Sequence, residues 1–542
     1  MKHILFVFLC FFSINAFSQS LTDWGKWTQW GEQENGTYLN PIIPADYSDI
    51  DCIRVGDDYY AISSTFQFSP GMTVLHSKDL VNWRICGNAV KDLTQIGKGL
   101  TWKRMNRYAR GIWAGSIRFH NNRFYVFFGT PDEGFFMTSA TNPEGPWDDL
   151  TPILPEPGWD DCSAFWDENG TACFVGTYFA DHYKTYLFRM SEDGKSIDRS
   201  SASLVYEGSG REATKIIKVK NWYYLIYSKH ENKIGRYMVA KRSMSLMGPY
   251  SEEKQLAQAG REAKEPNQGG IVEGKDGNWY FLTHHGTGDW AGRIASLLPV
   301  SWVDGWPIIG EVNEDGLGTM KWLNKMPVVL DGTRFNIQRS DEFVDDEIDH
   351  QWQWNYQPRA KYFSLQHRKG WLRLKAFKPL KDDDLLSAGN TLTQRCFQAY
   401  YNEVTIKMDI SKMADGQRSG LCHFSKQSSG IGLVQQNGIR TLEFRKNDVR
   451  IIGPQICNSI IWLRSNWGLD GLSKYSYSLD GITFIPFGEQ YQMAWGNYRG
   501  DRIGIYTFNN KREKGFVDVD YFRYILCKNE QEMYNTLSFN SQ

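Results

Sequence analysis

Residues 40–83 read NPIIPADYSDIDCIRVGDDYYAISSTFQFSPGMTVLHSKDLVNW. The second half of this stretch alternates short β-forming runs with turns. Ile53-Arg54-Val55 enters a turn at Gly56-Asp57-Asp58, Tyr59 to Ser63 carries β-formers on both faces, and Met72 to His76 is a third apolar run before Ser77-Lys78-Asp79. Asp46, Asp49 and Asp51 crowd the entrance to the first strand. Carboxylates in such a place are ordinarily solvated turn residues. What sets these apart is that the pattern around them returns.

The Gly56-Asp57-Asp58-Tyr59-Tyr60 hairpin recurs as Asn121-Asn122-Arg123-Phe124-Tyr125 and as Asn169-Gly170-Thr171-Ala172-Cys173. It recurs again as Lys220-Asn221-Trp222-Tyr223-Tyr224 and Gly277-Asn278-Trp279-Tyr280-Phe281. Three copies share a third-strand ending: HSKDLVNW at 76–83, TSATNPEGPW at 138–147 and AKRSMSLMGPY at 240–250. Five β-rich copies at roughly fifty-residue spacing predict a five-bladed β-propeller. A helical solenoid is excluded, because no i, i+3, i+4 apolar periodicity runs through the copies.

In a propeller the first strand of each blade lines the central channel, so equivalent slots converge. The slot ten or eleven residues before the aromatic that follows each turn holds Asp49, then Trp113 or Ala114, then Asp161, Glu212 and Gln268. Three carboxylates, a Trp and an amide are therefore expected at one channel mouth. Cleaving a glycosidic bond needs a protonated carboxyl at the leaving oxygen and an ionised one that activates water or attacks the anomeric carbon. A third carboxylate nearby keeps the acid protonated by like-charge repulsion. Phe66, Phe68 and Trp113 offer aromatic faces to a sugar ring. His284-His285 is a tempting metal pair, but adjacent strand residues point to opposite faces.

Composition agrees with a carbohydrate-active β protein. Of 542 residues, 15% are aromatic, and 61 basic residues balance 62 acidic ones without basic blocks. Nucleic acid and anionic membrane are poor partners for such a surface. The length predicts two large domains rather than one core.

At these residues the chain resembles glycoside hydrolase family 43. Asn40-Pro41-Ile42-Ile43-Pro44 through Ser48-Asp49-Ile50-Asp51, then Arg54 to Tyr60, is similar to the family's opening motif, whose Asp is the general base. Asp49 falls on that Asp, but Ser48 and Ile50 replace its flanking prolines, which leaves Asp51 as the alternative. Ser64 to Gly71 and His76 to Trp83 also match. Ile112-Trp113-Ala114 resembles the W-A-P motif, with Gly115 in place of Pro. Asp161-Cys162-Ser163-Ala164-Phe165 resembles the segment whose Asp tunes the acid, and Arg211-Glu212-Ala213 the one whose Glu is the general acid. Ser301 to Pro307 resembles the signature that closes the propeller. Gln268 stands where many members carry a His that anchors a channel ion, so the resemblance does not carry that metal over; Gln268 is instead a substrate-binding candidate. Arg293 lies near the position of a substrate-contacting Arg, with a surface strand Arg as the alternative.

From about residue 330 the repeats stop and short strands follow: Trp371 to Leu374, Ala399 to Lys407, Tyr475 to Leu479, Phe484 to Phe487 and Ile503 to Phe508. This reads as a β-sandwich, and it resembles the concanavalin-like C-terminal domain of the xylosidase-type members. The expected fold is therefore all-β, a propeller over 19–330 and a sandwich over 331–542. The resemblance implies no cofactor for catalysis, a sandwich loop walling one side of the site, and a structural calcium with Asp341 and Asp520 as candidate ligands.

Residues 1–18 read as a signal peptide: Lys2 and His3, an apolar run from Ile4 to Ile14, and a small-x-small cleavage site at Ala16-Phe17-Ser18. The run is too short to span a bilayer, which predicts a periplasmic or secreted protein. The eight cysteines beyond it are scattered without metal-ligand spacing and read as buried apolar residues. The expected function is an exo-acting inverting glycosidase that releases terminal α-L-arabinofuranose or β-D-xylose from plant oligo- or polysaccharide. The alternatives are an exo-β-galactosidase of the same family, against which Asp49 argues, and a non-catalytic sugar binder, which has no need of a tuned acid.

Overall fold

The computed structural model describes residues 29–259, 266–286, 289–332 and 334–539. The signal-like segment 1–18 lies outside them.

Five antiparallel four-stranded sheets follow one another along the chain. Blade one has strands Asp51–Val55, Asp58–Ser63, Gly71–Ser77 and Trp83–Val90. Blade two runs from Gly115–His120 to Thr151–Leu154, and blade three from Trp159–Trp166 to Ile197–Tyr206. Blade four runs from Arg211–Val219 to Lys254–Gln255, and blade five from Gly269–Glu273 to Trp306–Ile309. The turns explain the local pairing. Asn121 and Asn122 both take positive φ (47° and 58°), the tight mirror-image turn whose twist matches that of the strands it joins. Middle strands such as Gly134–Ala140 are buried along their whole length, because neighbouring blades cover both faces.

The first strands of blades one to four pack side by side in order, and that of blade five packs on that of blade one. The N-terminal segment locks this closure. The Asn40 side chain exchanges hydrogen bonds with the Leu297 backbone, donating and accepting at 2.9 Å.

The C-terminal half is a sandwich of two eight-stranded sheets. One contains Gln417–Phe424, Arg502–Asn509 and Thr391–Arg395 as neighbours, the other Phe516–Cys527, Tyr401–Asp409 and Ile460–Trp467. A helix, Glu530–Phe539, follows. The edge of the first sheet is unexpected: Phe68–Ser69 leaves blade one and pairs with Gln353–Asn355. This corrects the reading of Phe68 as a sugar platform. Its ring is buried beneath the Arg502 guanidinium, 3.8 Å from the centroid, and so joins the two halves. One apolar cluster runs through both halves, from Tyr47 and Ile50 to Leu392 and Phe522. None of the eight described cysteines is bridged; seven are buried, but Cys457 is exposed, contrary to expectation.

Candidate active site

The five converging slots meet as the register predicts. Asp49, Trp113, Ala114, Asp161, Glu212 and Gln268, with Phe66 and Arg293, line one cavity of about 280 Å³ at the channel mouth. Backbone irregularities aim the carboxylates into it. Asp161 is the extra residue of a bulge between Asp160 and Cys162, and a second bulge lies between Glu212 and Lys215. Bulges re-aim side chains beside active sites in this way. Asp49 (φ 57°), Phe66 (56°), Asp161 (50°) and Ala213 (68°) hold left-handed conformations unusual for residues with a Cβ. Each costs about 1–3 kcal/mol, which the surrounding structure must offset.

The acidic knot of the opening stretch separates into three tasks. Asp46 is a brace: its Oδ1 accepts from Ser48 Oγ at 2.9 Å and the Arg293 N–H at 3.0 Å. Asp51 points to the far end of the channel, where Oδ2 accepts from the Ile117 N–H at 3.0 Å and Arg118 at 2.7 Å. Asp49 alone of the three lines the cavity, paired with Arg293 at 2.7 Å. This geometry favours Asp49 over Asp51 as the base.

Burial pushes the Asp49 carboxyl above its ordinary value, while Arg293 pulls it down. Burial first, then the negative charges of Glu212 and Asp49, pushes Asp161 up to about 7. Glu212 lies at the more open side, 3.3 Å from Arg236. The charges of Glu212 and Asp49 both press on Asp161. With Asp161 as the residue expected to tune the acid, Asp161→Asn should move the alkaline limb of the pH–rate profile to lower pH. It should also stabilise the fold. A carboxyl raised from 3.8 keeps its proton in the native state while the unfolded state has lost it, so stability falls as pH rises from about 4 to about 7. Removing the group should recover up to about 4 kcal/mol at pH 8 and little at pH 4. Thermal melts at both pH values check the sign.

Several lining residues were not foreseen. His284 Nδ1 accepts the Asp49 N–H at 2.8 Å, which leaves the proton on Nε2. Burial, then Arg293 and His285, holds this imidazole well below its usual pKa, hence neutral. Its strand neighbour His285 points to the other face, as period-two alternation requires. Buried nitrogens at His284 Nε2, Gln268 Nε2 and Arg293 Nε have no partner among the described residues. Unmade buried hydrogen bonds are costly, so these donors are suited to the hydroxyls of a bound ligand. Phe179 and Tyr183 extend the aromatic wall. Tyr498, from the sandwich, closes one side; its ring lies 6.0 Å from Trp113, edge to face, and 5.4 Å from the Arg293 guanidinium. Ser48 Oγ lies 2.9 Å from the Tyr498 carbonyl as well as from Asp46 and shares its one proton between them, tying that loop to the residue before Asp49.

The candidate calcium ligands do not fit calcium. Asp341 accepts from Trp352 Nε1 at 2.8 Å and the Phe343 N–H at 2.7 Å, and Asp520 is paired with Lys407 at 2.7 Å. Calcium takes six to eight oxygens, and among the described residues Asp341 and Asp520 belong to no cluster of three potential ligands. Among the described residues, the group of three potential ligands is Cys396, His423 and Asp501, a sulfur, nitrogen and oxygen set unlike a calcium site. No described helix is long and apolar enough to cross a membrane.

The model of glycosyl hydrolases family 43 matches residues 38–307, and that of the beta xylosidase C-terminal concanavalin A-like domain matches residues 340–525. A beta-xylosidase of Formosa agariphila is 32% identical, over 91% of this chain and 91% of that protein. A putative beta-xylosidase of Xylanibacter ruminicola is 35% identical over 88% of each. A solved family 43 glycoside hydrolase, engineered to display both endo-xylanase and exo-arabinofuranosidase activity, superposes with a TM-score of 0.79 at 25% identity, covering 90% of this chain and 100% of that one.

Proposed function

The chain belongs to glycosyl hydrolase family 43, and from that premise we propose that it is an exo-acting, inverting enzyme that removes terminal pentoses, β-D-xylose or α-L-arabinofuranose. The observation that carries this reading is the cavity: the carboxyls of Asp49, Asp160, Asp161 and Glu212 line about 280 Å³, walled by Trp113, Phe66 and the sandwich residue Tyr498. A space at the small end of ligand pockets suits a single terminal sugar.

In this reading Asp49 removes a proton from water as the water attacks the anomeric carbon. Glu212 gives its proton to the departing oxygen. Asp161, beside Glu212, shares the negative charge of the site, so the two carboxyls do not readily ionise together. Arg293 fixes the Asp49 carboxylate, and the unfilled donors of His284 and Gln268 take ring hydroxyls. No metal enters a step. The apolar run at 4–14 supports export, so that the enzyme meets its polysaccharide outside the cytoplasm.

Hydrolysis of nitrophenyl β-D-xylopyranoside, α-L-arabinofuranoside and β-D-galactopyranoside tests the sugar. Release from one or both pentosides, with the galactoside slower by at least about 100-fold, is expected, because an extra hydroxymethyl group must fit a cavity already filled. Preferential galactoside cleavage would replace the pentose reading; binding without hydrolysis of any of the three would favour the binder.

A further inference from the structure

Lys215 takes part in no step above, yet it is 3% exposed and stands three residues after Glu212 in the first strand of blade four. Its ammonium donates to the Gly115 carbonyl at 2.6 Å. Gly115 opens the first strand of blade two, so the side chain reaches across the channel past the first strand of blade three, which carries Asp161. It forms no ion pair with a described carboxylate, and that carbonyl is its hydrogen-bond partner. A buried ammonium is unfavourable unless opposite charge lies close by.

The neighbours identify that charge. On the far side is a groove of about 500 Å³ that Lys215 itself lines, together with Asp51 and Glu273. There Asp51 holds Arg118 at 2.7 Å, Lys218 holds Asp167 at 2.6 Å, and Arg54 donates to the Gly274 carbonyl at 2.9 Å. Glu273 lies at the exposed rim of this groove. The Cys52 and Cys162 thiols beside the channel are kept uncharged by burial. On the near side stand Asp49, Asp160, Asp161 and Glu212, with Arg293 on Asp49 and Arg236 on Glu212. Burial keeps Asp160 protonated.

We propose that Lys215 is a positioning residue of the catalytic trio: its ammonium, on the strand of Glu212 and fixed across the channel by the Gly115 carbonyl, is a built-in positive charge that supplements Arg293 beside the carboxylates. The inference rests on the reading of Asp49 as the base. The ammonium draws both Asp49 and Asp161 down against burial, and a tethered cation cannot diffuse away as a bound ion would. The same bond ties Gly115, and with it the turn carrying Trp113, to the strand of the acid.

The test compares kcat/KM against pH on an activated aryl β-xyloside. Lys215→Gln keeps a donor for the carbonyl without the charge, and Lys215→Met removes both. In each the acid limb should rise by about one pH unit, as expected for loss of a unit charge several ångströms away. KM of Lys215→Gln should stay near wild type, and Lys218→Gln should leave the profile in place. A folded Lys215→Gln, judged by circular dichroism and Tm, whose acid limb does not move overturns the proposal, as does an equal loss of rate at every pH. If Lys215→Met does not fold, Lys215→Gln decides alone. An active Asp49→Asn would instead overturn the reading of the base.

Discussion

Glu212→Gln should lower kcat on xylobiose by about 10²–10⁴-fold yet leave a dinitrophenyl xyloside within about tenfold of wild type. The difference follows from the leaving groups. A sugar alkoxide departs only as its oxygen is protonated, and a positioned acid contributes about 10²–10⁴-fold to such a step. A dinitrophenolate is stable without a proton, so the glutamine costs it little. Glu212 sits at the start of a strand with its carboxylate 3.3 Å from Arg236, and the amide has the same shape, so the fold should be unaffected. Equal losses on both substrates would remove Glu212 from the role of acid.

Asp49→Asn behaves differently: both substrates lose about 10⁴-fold or more, because attack by water is needed whatever group departs. The loss includes a secondary effect, since Arg293 would keep its charge without the carboxylate that it holds at 2.7 Å. Asp51→Asn provides the contrast. It leaves the cavity intact but weakens the bond to Arg118 at the far end of the channel, so its cost should appear in stability rather than in kcat. A near-normal Asp49→Asn beside an inactive Asp51→Asn would shift the base by two residues.

Sequence made the trio legible because a propeller repeats its register. A turn followed by paired aromatics marks each blade, and counting back from it reaches the channel whatever the intervening residues are. That counting places Asp49, Trp113, Asp161, Glu212 and Gln268 around one cavity without any contact between them in the chain. Tyr498 obeys no such register. It lies in a sandwich loop with a left-handed φ of 63°, and it reaches the cavity because contacts such as the Phe68–Ser69 pairing and the Ser48 bond to its carbonyl dock the sandwich on the propeller. The same pairing misled the reading of Phe68, whose aromatic neighbours gave no sign that it faces Arg502. His284 was visible but set aside with His285 as a failed metal pair. Alternation already implied that one of the two faces the channel; which one depended on the strand's offset against Asn267 and Gln268. For Asp341 and Asp520, two carboxylates gave no warning that Trp352 and Lys407 would occupy them.

Asp49 and Glu212, the proposed base and acid, line one cavity from blades one and four of a five-bladed ring. That placement implies carboxyls about 6.5–9.5 Å apart, with room for a water opposite the leaving group, whereas retention needs about 5–5.5 Å for a bond to the anomeric carbon. Proton NMR of the first minutes of β-xyloside hydrolysis, before mutarotation, reads the outcome directly. Inversion gives α-xylose as the first-formed sugar. β-Xylose appearing first would contradict it.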